Sequence, residues 1–238
     1  MRLDQRMVAE GLVPSRAKAQ ALVAAGVVTV DGKAAAKPGA KTSGAIAITG
    51  DPCPWVSRAA LKLVHALDHF AMRPSGAALD LGASTGGFTE VLLDRGAAHV
   101  YALDVGHGQM NAELRADKRV TCIEGCNARD LPHPDIPRVD WITADLSFVS
   151  LTKVLPAAVS HAAPGAHLVA LVKPQFEAGP ARVGKGGIVT DPSIHQEVLA
   201  EVQACVADLG WHVLGHANSP ILGGDGNREF LLAARRGE

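Results

Sequence analysis

A mostly parallel α/β sheet with helices on both faces, preceded by a small α+β module, is the fold this sequence predicts. Three observations predict it. From Ser57 onward, short apolar runs alternate with segments of helical periodicity, the pattern of strands joined by covering helices. A glycine-rich turn, GASTGG (82–87), separates the first of those strands from the helix after it. Ahead of them, residues 1–49 carry two short helical patterns and a hairpin, set apart by the proline-containing stretch GDPCPW.

Leu3, Met7 and Val8 repeat at helical spacing over 3–12, and a second helix over 15–25 is capped by Ser15, with Ala19, Leu22 and Val23 inward. Gly26 ends that helix, VVTV alternates, and Asp31-Gly32 supplies a tight hairpin turn. AIAIT (45–49) adds a strand. Prolines 52 and 54 forbid regular structure, so 50–57 is a linker between a domain over 1–49 and a larger one over 58–238. In the larger domain RAALKLVHALDHFAM is a helix, AALDL a strand, GGFTEVLLDRG a helix and HVYALDV a strand. VDWITADLS (strand), SLTKVLPAAVSHA (helix) and AHLVALVKP (strand) follow, then the long helix PSIHQEVLAEVQACVADLG. WHVLGHANS and REFLLAARR have no helix between them, which predicts an antiparallel hairpin at the end of the sheet.

Composition narrows the function classes. The 238 residues are 47% hydrophobic with a formal net charge of −1, yet residues 1–62 hold nine Lys/Arg against four acids, a net of +5 that leaves −6 for the rest. A basic front on an acidic body suits a polyanion-facing module. Cys53, Cys122, Cys126 and Cys205 form no CxxC pair, which points to a reducing cytoplasm. MRLDQRMVAEGL has no signal-peptide core, and no apolar run approaches the roughly 20 residues a membrane span needs.

Ligands of such sheets sit at the carboxyl ends of the strands, beside the first strand–helix turn. That turn, Gly82-Ala83-Ser84-Thr85-Gly86-Gly87 followed by Phe88, is neither GxxxxGK[ST] nor GxGxxG. Asp104 ends the next strand, where a carboxylate can accept from ribose hydroxyls, and Asn127 follows the third strand within reach of an adenine or its ribose. A ribose and adenine without a pyrophosphate cradle fit S-adenosylmethionine. The competing reading makes the glycines a plain tight turn and Asp104 a solvated strand end.

Lys173 closes the apolar run HLVALV, where an ammonium is costly to bury. It is either a strand-end lysine reaching solvent or a group held for chemistry. Asp145 ends the fourth strand, Lys62 lies on a helical stripe with His65 and His69, and Glu229 begins a final strand expected beside the fifth. Two crowded ammonium groups disfavour one another's charge, so one of them can serve as a base toward a weakly acidic hydroxyl. The pairs His65/His69 and His212/His216 lack a third metal-ligand motif and read as ordinary polar residues, so no metal is expected.

At these residues the sequence resembles a known family. RLDQRMVAEGLVPSRAKAQALVAAGVVTVDGK resembles an S4-type RNA-binding domain. WVSRAALKL, DLGASTGGFTE, ADLSFVS, LVKPQFE and GNREF are similar to the TlyA group of FtsJ-like ribose methyltransferases. The resemblance covers almost the whole chain. It implies a Rossmann-like class I methyltransferase sheet with an antiparallel C-terminal hairpin, joined to a small N-terminal S4-type α+β domain. It also implies S-adenosylmethionine as donor, 2′-O-methylation of cytidines in ribosomal RNA, and a Lys-Asp-Lys-Glu tetrad at Lys62, Asp145, Lys173 and Glu229. In that tetrad Lys173 is the base, Asp145 orients it beside the donor, and Lys62 and Glu229 position the nucleotide. Arg2, Arg6, Arg16, Lys18 and Lys33 then form a basic face for RNA phosphates. The resemblance leaves two classes, a longer one that acts on both ribosomal subunits and a shorter one that acts on the large subunit alone, and the start at RLD and the end six residues after Leu232 lean to the shorter. Two other functions compete: RNA capture with an inactive methyltransferase body, which an intact tetrad argues against, and the haemolysin label the family carries.

Overall fold

Leu3, Met7, Val13, Ala19, Leu22, Val23 and Val28 are buried together and organise the first 54 residues of the computed structural model, which describes residues 1–13, 15–50, 53–224 and 226–237. Helices α1 (Leu3–Ala9) and α2 (Arg16–Ala24) contribute five of these, and Val13 comes from the loop between them. Gly11, in the left-handed region at φ 71°, ends α1 earlier than its apolar spacing suggests. Ser15 caps α2 by accepting from the Lys18 amide. Strands β1 (Val28–Val30), β2 (Lys33–Ala34) and β3 (Ile46–Ile48) form an antiparallel sheet in the order β2-β1-β3. Asp31 and Gly32 have φ of 50° and 75°, the left-handed pair that a two-residue hairpin turn requires. Of the expected linker, Asp51 and Pro52 lie outside the described residues.

The second unit, Trp55–Glu238, is built on a seven-stranded sheet. Its elements in chain order are α3 (Ala60–His69), β4 (Ala77–Leu81), α4 (Gly87–Asp94), β5 (His99–Asp104), α5 (Ala112–Ala116), β6 (Val120–Glu124), β7 (Val139–Ala144), α6 (Leu151–Ala158), β8 (Ala162–Val172), α7 (Pro174–Glu177), α8 (Pro192–Asp208), β9 (Trp211–Asn218) and β10 (Phe230–Arg236). The strand order is β6-β5-β4-β7-β8-β10-β9, with β6 through β8 parallel and β10 antiparallel to both its neighbours. Successive residues of the central strands face opposite sides of the sheet. Leu79, Leu81, Ile142 and Leu168 pack with α6 and α8, through Leu151, Val154, Val198 and Val202. Ala78, Val100 and Val169 pack with α3 and α4, through Leu63, Leu67, Val91 and Leu92.

Strand β8 begins four residues before the expected Ala166. A register shift between Val139 and Trp141 accommodates the added residues, Pro164 and Gly165 among them, where β8 pairs with β7. The short helix α5 has too few residues to show a period and was not expected. The order reverses between β4 and β7, so the carboxyl ends of β4, β5, β7 and β8 open on one crevice.

Candidate functional site

The glycine turn occupies that crevice. Gly82 N and Ala83 N both donate to the Leu103 carbonyl, tying the turn to the end of β5. Gly82 has φ 82°, and a Cβ there would come within 2.6 Å of the Asp145 carbonyl oxygen, so only glycine lets the turn lie against the end of β7. A Cβ on Gly87 would meet Ser57 Oγ and the Ala60 backbone, which brings α4 close to α3. Gly86 caps α4 at φ 97°, and Phe88 is buried in the core beneath the turn. Ser84 and Thr85 are exposed.

Asp104 stands across the turn. Its two carboxylate oxygens accept from Ser84 N at 2.8 Å and Gly106 N at 2.7 Å, which fixes its rotamer at the cavity wall. Asn127 Oδ1 accepts from Arg129 N and leaves the amide donors of Asn127 without a protein partner among the described residues. Gly82, Ser84, Asp104, Asn127, Asp145 and Ser147 line a cavity of about 550 Å³. A second cavity of about 250 Å³ adjoins it and shares Gly82, Ser84, Asp145 and Ser147, adding Ala83, Thr85, Gly87, Arg58 and Lys173.

The four tetrad residues fall into two ion pairs. Lys62 Nζ lies 2.6 Å from Glu229 Oε2, with both side chains buried. Lys173 Nζ lies 2.6 Å from Asp145 Oδ1. The second contact is out of line for a hydrogen bond, and Oδ1 is buried with no hydrogen-bond donor among the described residues. Lys173 donates instead to Ser147 Oγ at 3.1 Å, and its Nζ sits 5.9 Å from the Phe176 ring centre. The pairing of Phe230 with Val172 sets Glu229 one step beyond the β8–β10 ladder, at the level of Lys173. Lys62 is on the buried side of α3 with Leu63 and Ala66, whereas His65 is half-buried, His69 is exposed, and both turn to a separate cleft with His216. Among the described residues no group of three or more His, Cys, Asp or Glu side chains could hold a metal ion.

Sequence reasoning assigned no role to Asp80, Ser147 or Phe148. Asp80 is fully buried below the turn and accepts from Thr89 Oγ1 at 2.7 Å and Thr143 Oγ1 at 2.9 Å. Burial pushes its carboxyl up to about 6, the two threonine hydrogen bonds acting against that and the Asp145 charge adding to it. An acid inside the apolar run AALDL was the available signal. Phe148 is 90% exposed at the cavity wall, in the left-handed region at φ 64°.

The basic residues of the first unit divide. Arg2 and Arg16 both bind Asp4, a fully buried carboxylate that also accepts from Gln20 and is held far below the usual carboxylate range. Each keeps about half of its side chain exposed. Lys33 is exposed. Arg6 is not: it donates to the carbonyls of Thr42 and Gly44, pairs with Glu10, and is 16% exposed. Lys18, expected toward solvent, is half-buried because its flexible stem folds back so that Nζ donates to the Cys53 carbonyl.

An FtsJ-like methyltransferase model matches residues 55–236, and an S4 domain model matches residues 1–42. The chain belongs to the FtsJ-like methyltransferase family. It is 49% identical to a protein of Mycobacterium tuberculosis strain H37Rv named 16S/23S rRNA (cytidine-2′-O)-methyltransferase TlyA, over 98% of this chain and 89% of that one. Hemolysin A of Brachyspira hyodysenteriae is 40% identical over 97% of this chain and 98% of its own length. A solved structure of a hemolysin-named protein from Streptococcus thermophilus superposes with a TM-score of 0.79 at 40% identity, covering 100% of this chain and 89% of that one. The methyl donor of an FtsJ-like enzyme is S-adenosylmethionine, and the residues present fit it. Bare backbone at Gly82 admits close approach of a ligand, the fixed carboxylate of Asp104 suits a ribose diol, and the free amide donors of Asn127 suit a purine.

Proposed function

We propose that the protein transfers a methyl group from S-adenosylmethionine to the 2′-hydroxyl of cytidine riboses in ribosomal RNA, in the cytoplasm. The observation that carries the reading is the Lys173–Asp145 ion pair at the join of two cavities, one shaped for a nucleoside and the other open beside it. The relative named for cytidine-2′-O methylation aligns over nearly the full chain and supports the choice of substrate.

Asp104 and Asn127 would hold the donor's ribose and adenine, with the backbone of 82–87 along its remainder. The donor, when bound, supplies an electrophilic carbon on a sulfonium, so the hydroxyl needs no metal to find a reactive partner. Lys173, once its own ammonium proton has passed to water in the open cavity, takes the proton of the 2′-hydroxyl onto Nζ while the O–H electron pair stays on oxygen as the nucleophile. Asp145 balances the charge that Lys173 then carries. The Lys62–Glu229 pair, at the same level of the sheet, positions the acceptor nucleotide. Among the described residues no helix is long and apolar enough to cross a membrane, and no feature of the cavities favours the lytic reading.

The test is methyl transfer from labelled donor to purified 23S and 16S rRNA or their subunits, with blocked 2′-hydroxyls mapped on the product. The expected result is transfer to cytidine in the 23S arm. Lys173→Ala should retain donor binding and lose roughly 10² or more in turnover. Wild-type protein that methylates neither rRNA would overturn the function, and normal turnover by the variant would overturn the role of Lys173.

A further inference from the structure

We infer that Ser147 is a positioning residue that aims the Lys173 amine at the acceptor hydroxyl. The inference rests on the reading of Lys173 as the base. A lysine ammonium ends a flexible four-carbon stem, so burial alone does not direct it. Among the described residues Lys173 has an ion-pair partner, a hydrogen-bond acceptor and an aromatic ring near its Nζ. Asp145 Oδ1 is 2.6 Å away but out of line, so it attracts by charge without fixing a direction. The Phe176 ring, 5.9 Å from Nζ, offers a broad cation–π attraction. The hydroxyl of Ser147, at 3.1 Å, accepts the one hydrogen bond that Lys173 donates among the described residues. Hydrogen bonds weaken steeply off line, so this contact alone sets the angle of the amine.

The chemistry needs such an angle. In the form that accepts a proton, Nζ carries two N–H bonds and one lone pair. Holding one N–H on Ser147 leaves two tetrahedral directions for the second N–H and the lone pair, and the Asp145 charge favours the arrangement that turns the lone pair away from its carboxylate. The proton of the acceptor hydroxyl then passes to Nζ and the O–H electron pair stays on oxygen. Without Ser147 the amine turns about its Cε–Nζ bond, and productive geometries become rare.

Two further features fit this role. Ser147 lines both cavities, so it stands where donor and acceptor must meet. It has no capping duty to explain its presence, because Ser150 caps α6. The next residue, Phe148, adopts the left-handed backbone that non-glycine residues rarely hold unless their surroundings impose it, and this bend follows directly on Ser147.

The experiment compares Ser147→Ala, Ser147→Thr, Lys173→Ala and the double variant Ser147→Ala/Lys173→Ala, in the full chain. Donor affinity is read by calorimetry, and kcat and KM for rRNA are read from methyl transfer. The expected result is a fall in kcat of roughly 10- to 100-fold for Ser147→Ala, the scale of a misplaced reacting group, with KM and donor affinity near wild type. Ser147→Thr, which keeps the hydroxyl, should recover most of the loss. The double variant should be no slower than Lys173→Ala alone, since an aim without a base does nothing. Normal kcat in Ser147→Ala beside an inactive Lys173→Ala would overturn the inference and leave the base in place. A raised KM with unchanged kcat would overturn it too, making Ser147 an RNA contact. Activity in both single variants would overturn the role of Lys173 itself.

Discussion

Replacing Glu229 by Gln isolates the Lys62–Glu229 pair with little change of shape. The charges lie 2.6 Å apart, and their side chains are 8% and 3% exposed. At an effective dielectric constant of about 20 their gross attraction is about 6 kcal/mol. Taking each ion out of water costs several kcal/mol, so the intact pair is worth little net stability. Removing one partner is different, because the other keeps its desolvation cost with nothing to offset it. Glu229→Gln and Lys62→Met should therefore each cost about 3–5 kcal/mol. The double variant Lys62→Met/Glu229→Leu, with apolar groups of similar volume, should return to within about 1–2 kcal/mol of wild type or exceed it. All three should lose turnover. Urea denaturation followed by tryptophan fluorescence suits the measurement, because Trp55, Trp141 and Trp211 all lie in the second unit. A double variant as unstable as either single one, or a Glu229→Gln protein as stable as wild type, would refute the reasoning. Recovered stability with recovered turnover would refute the functional half.

Asp80 should make stability fall as pH rises. Its folded value of about 6 exceeds the 3.8 of the free side chain, so between those limits the folded state keeps a proton the unfolded state has released. About 2 units at 1.36 kcal/mol each give a loss of about 3 kcal/mol across that window. Denaturation midpoints from pH 4 to 7 should show wild type losing ground to Asp80→Asn by that amount, and parallel profiles would contradict it. In the first unit, Arg6→Ala should cost about 1–3 kcal/mol, because it strands the carbonyls of Thr42 and Gly44. It should leave the salt dependence of RNA binding alone. Lys33→Ala should do the reverse, lowering the log–log salt slope by about 0.7–0.9 with no change in melting temperature. Salt-titrated binding and thermal melts on both variants check the pair, and the opposite assignment would move the RNA face elsewhere.

Local signals carried most of the fold. Asp31-Gly32 between alternating valines could only be a tight hairpin, and AALDL followed by glycines could only be a strand entering a turn. The same holds for Lys173, whose charge at the end of an apolar strand is anomalous without any knowledge of its neighbours. What stayed hidden depends on separation along the chain. Arg6 sits on a face that helical periodicity leaves free, and only the loop 36 to 38 residues later turns it inward. Ser147 meets Lys173 across 26 residues, through a bend at Phe148 that no periodicity announces. The early start of β8 stayed hidden because a bulge is a property of the pairing and not of either sequence.

The position of β10 has a bearing on biogenesis. It is made after every other strand of its sheet, yet it lies inside that sheet between β8 and β9, with Leu231, Leu232, Ala233 and Ala234 fully buried. During synthesis every other strand precedes it, so until β10 arrives β8 presents an open apolar edge and β9 has no partner. Glu229 arrives with it, which means that Lys62 waits without its counter-charge for the same interval. A nascent or prematurely terminated chain is thus a poor catalyst and a ready template for edge-to-edge association. Competence is gained in one step, when β10 slots home.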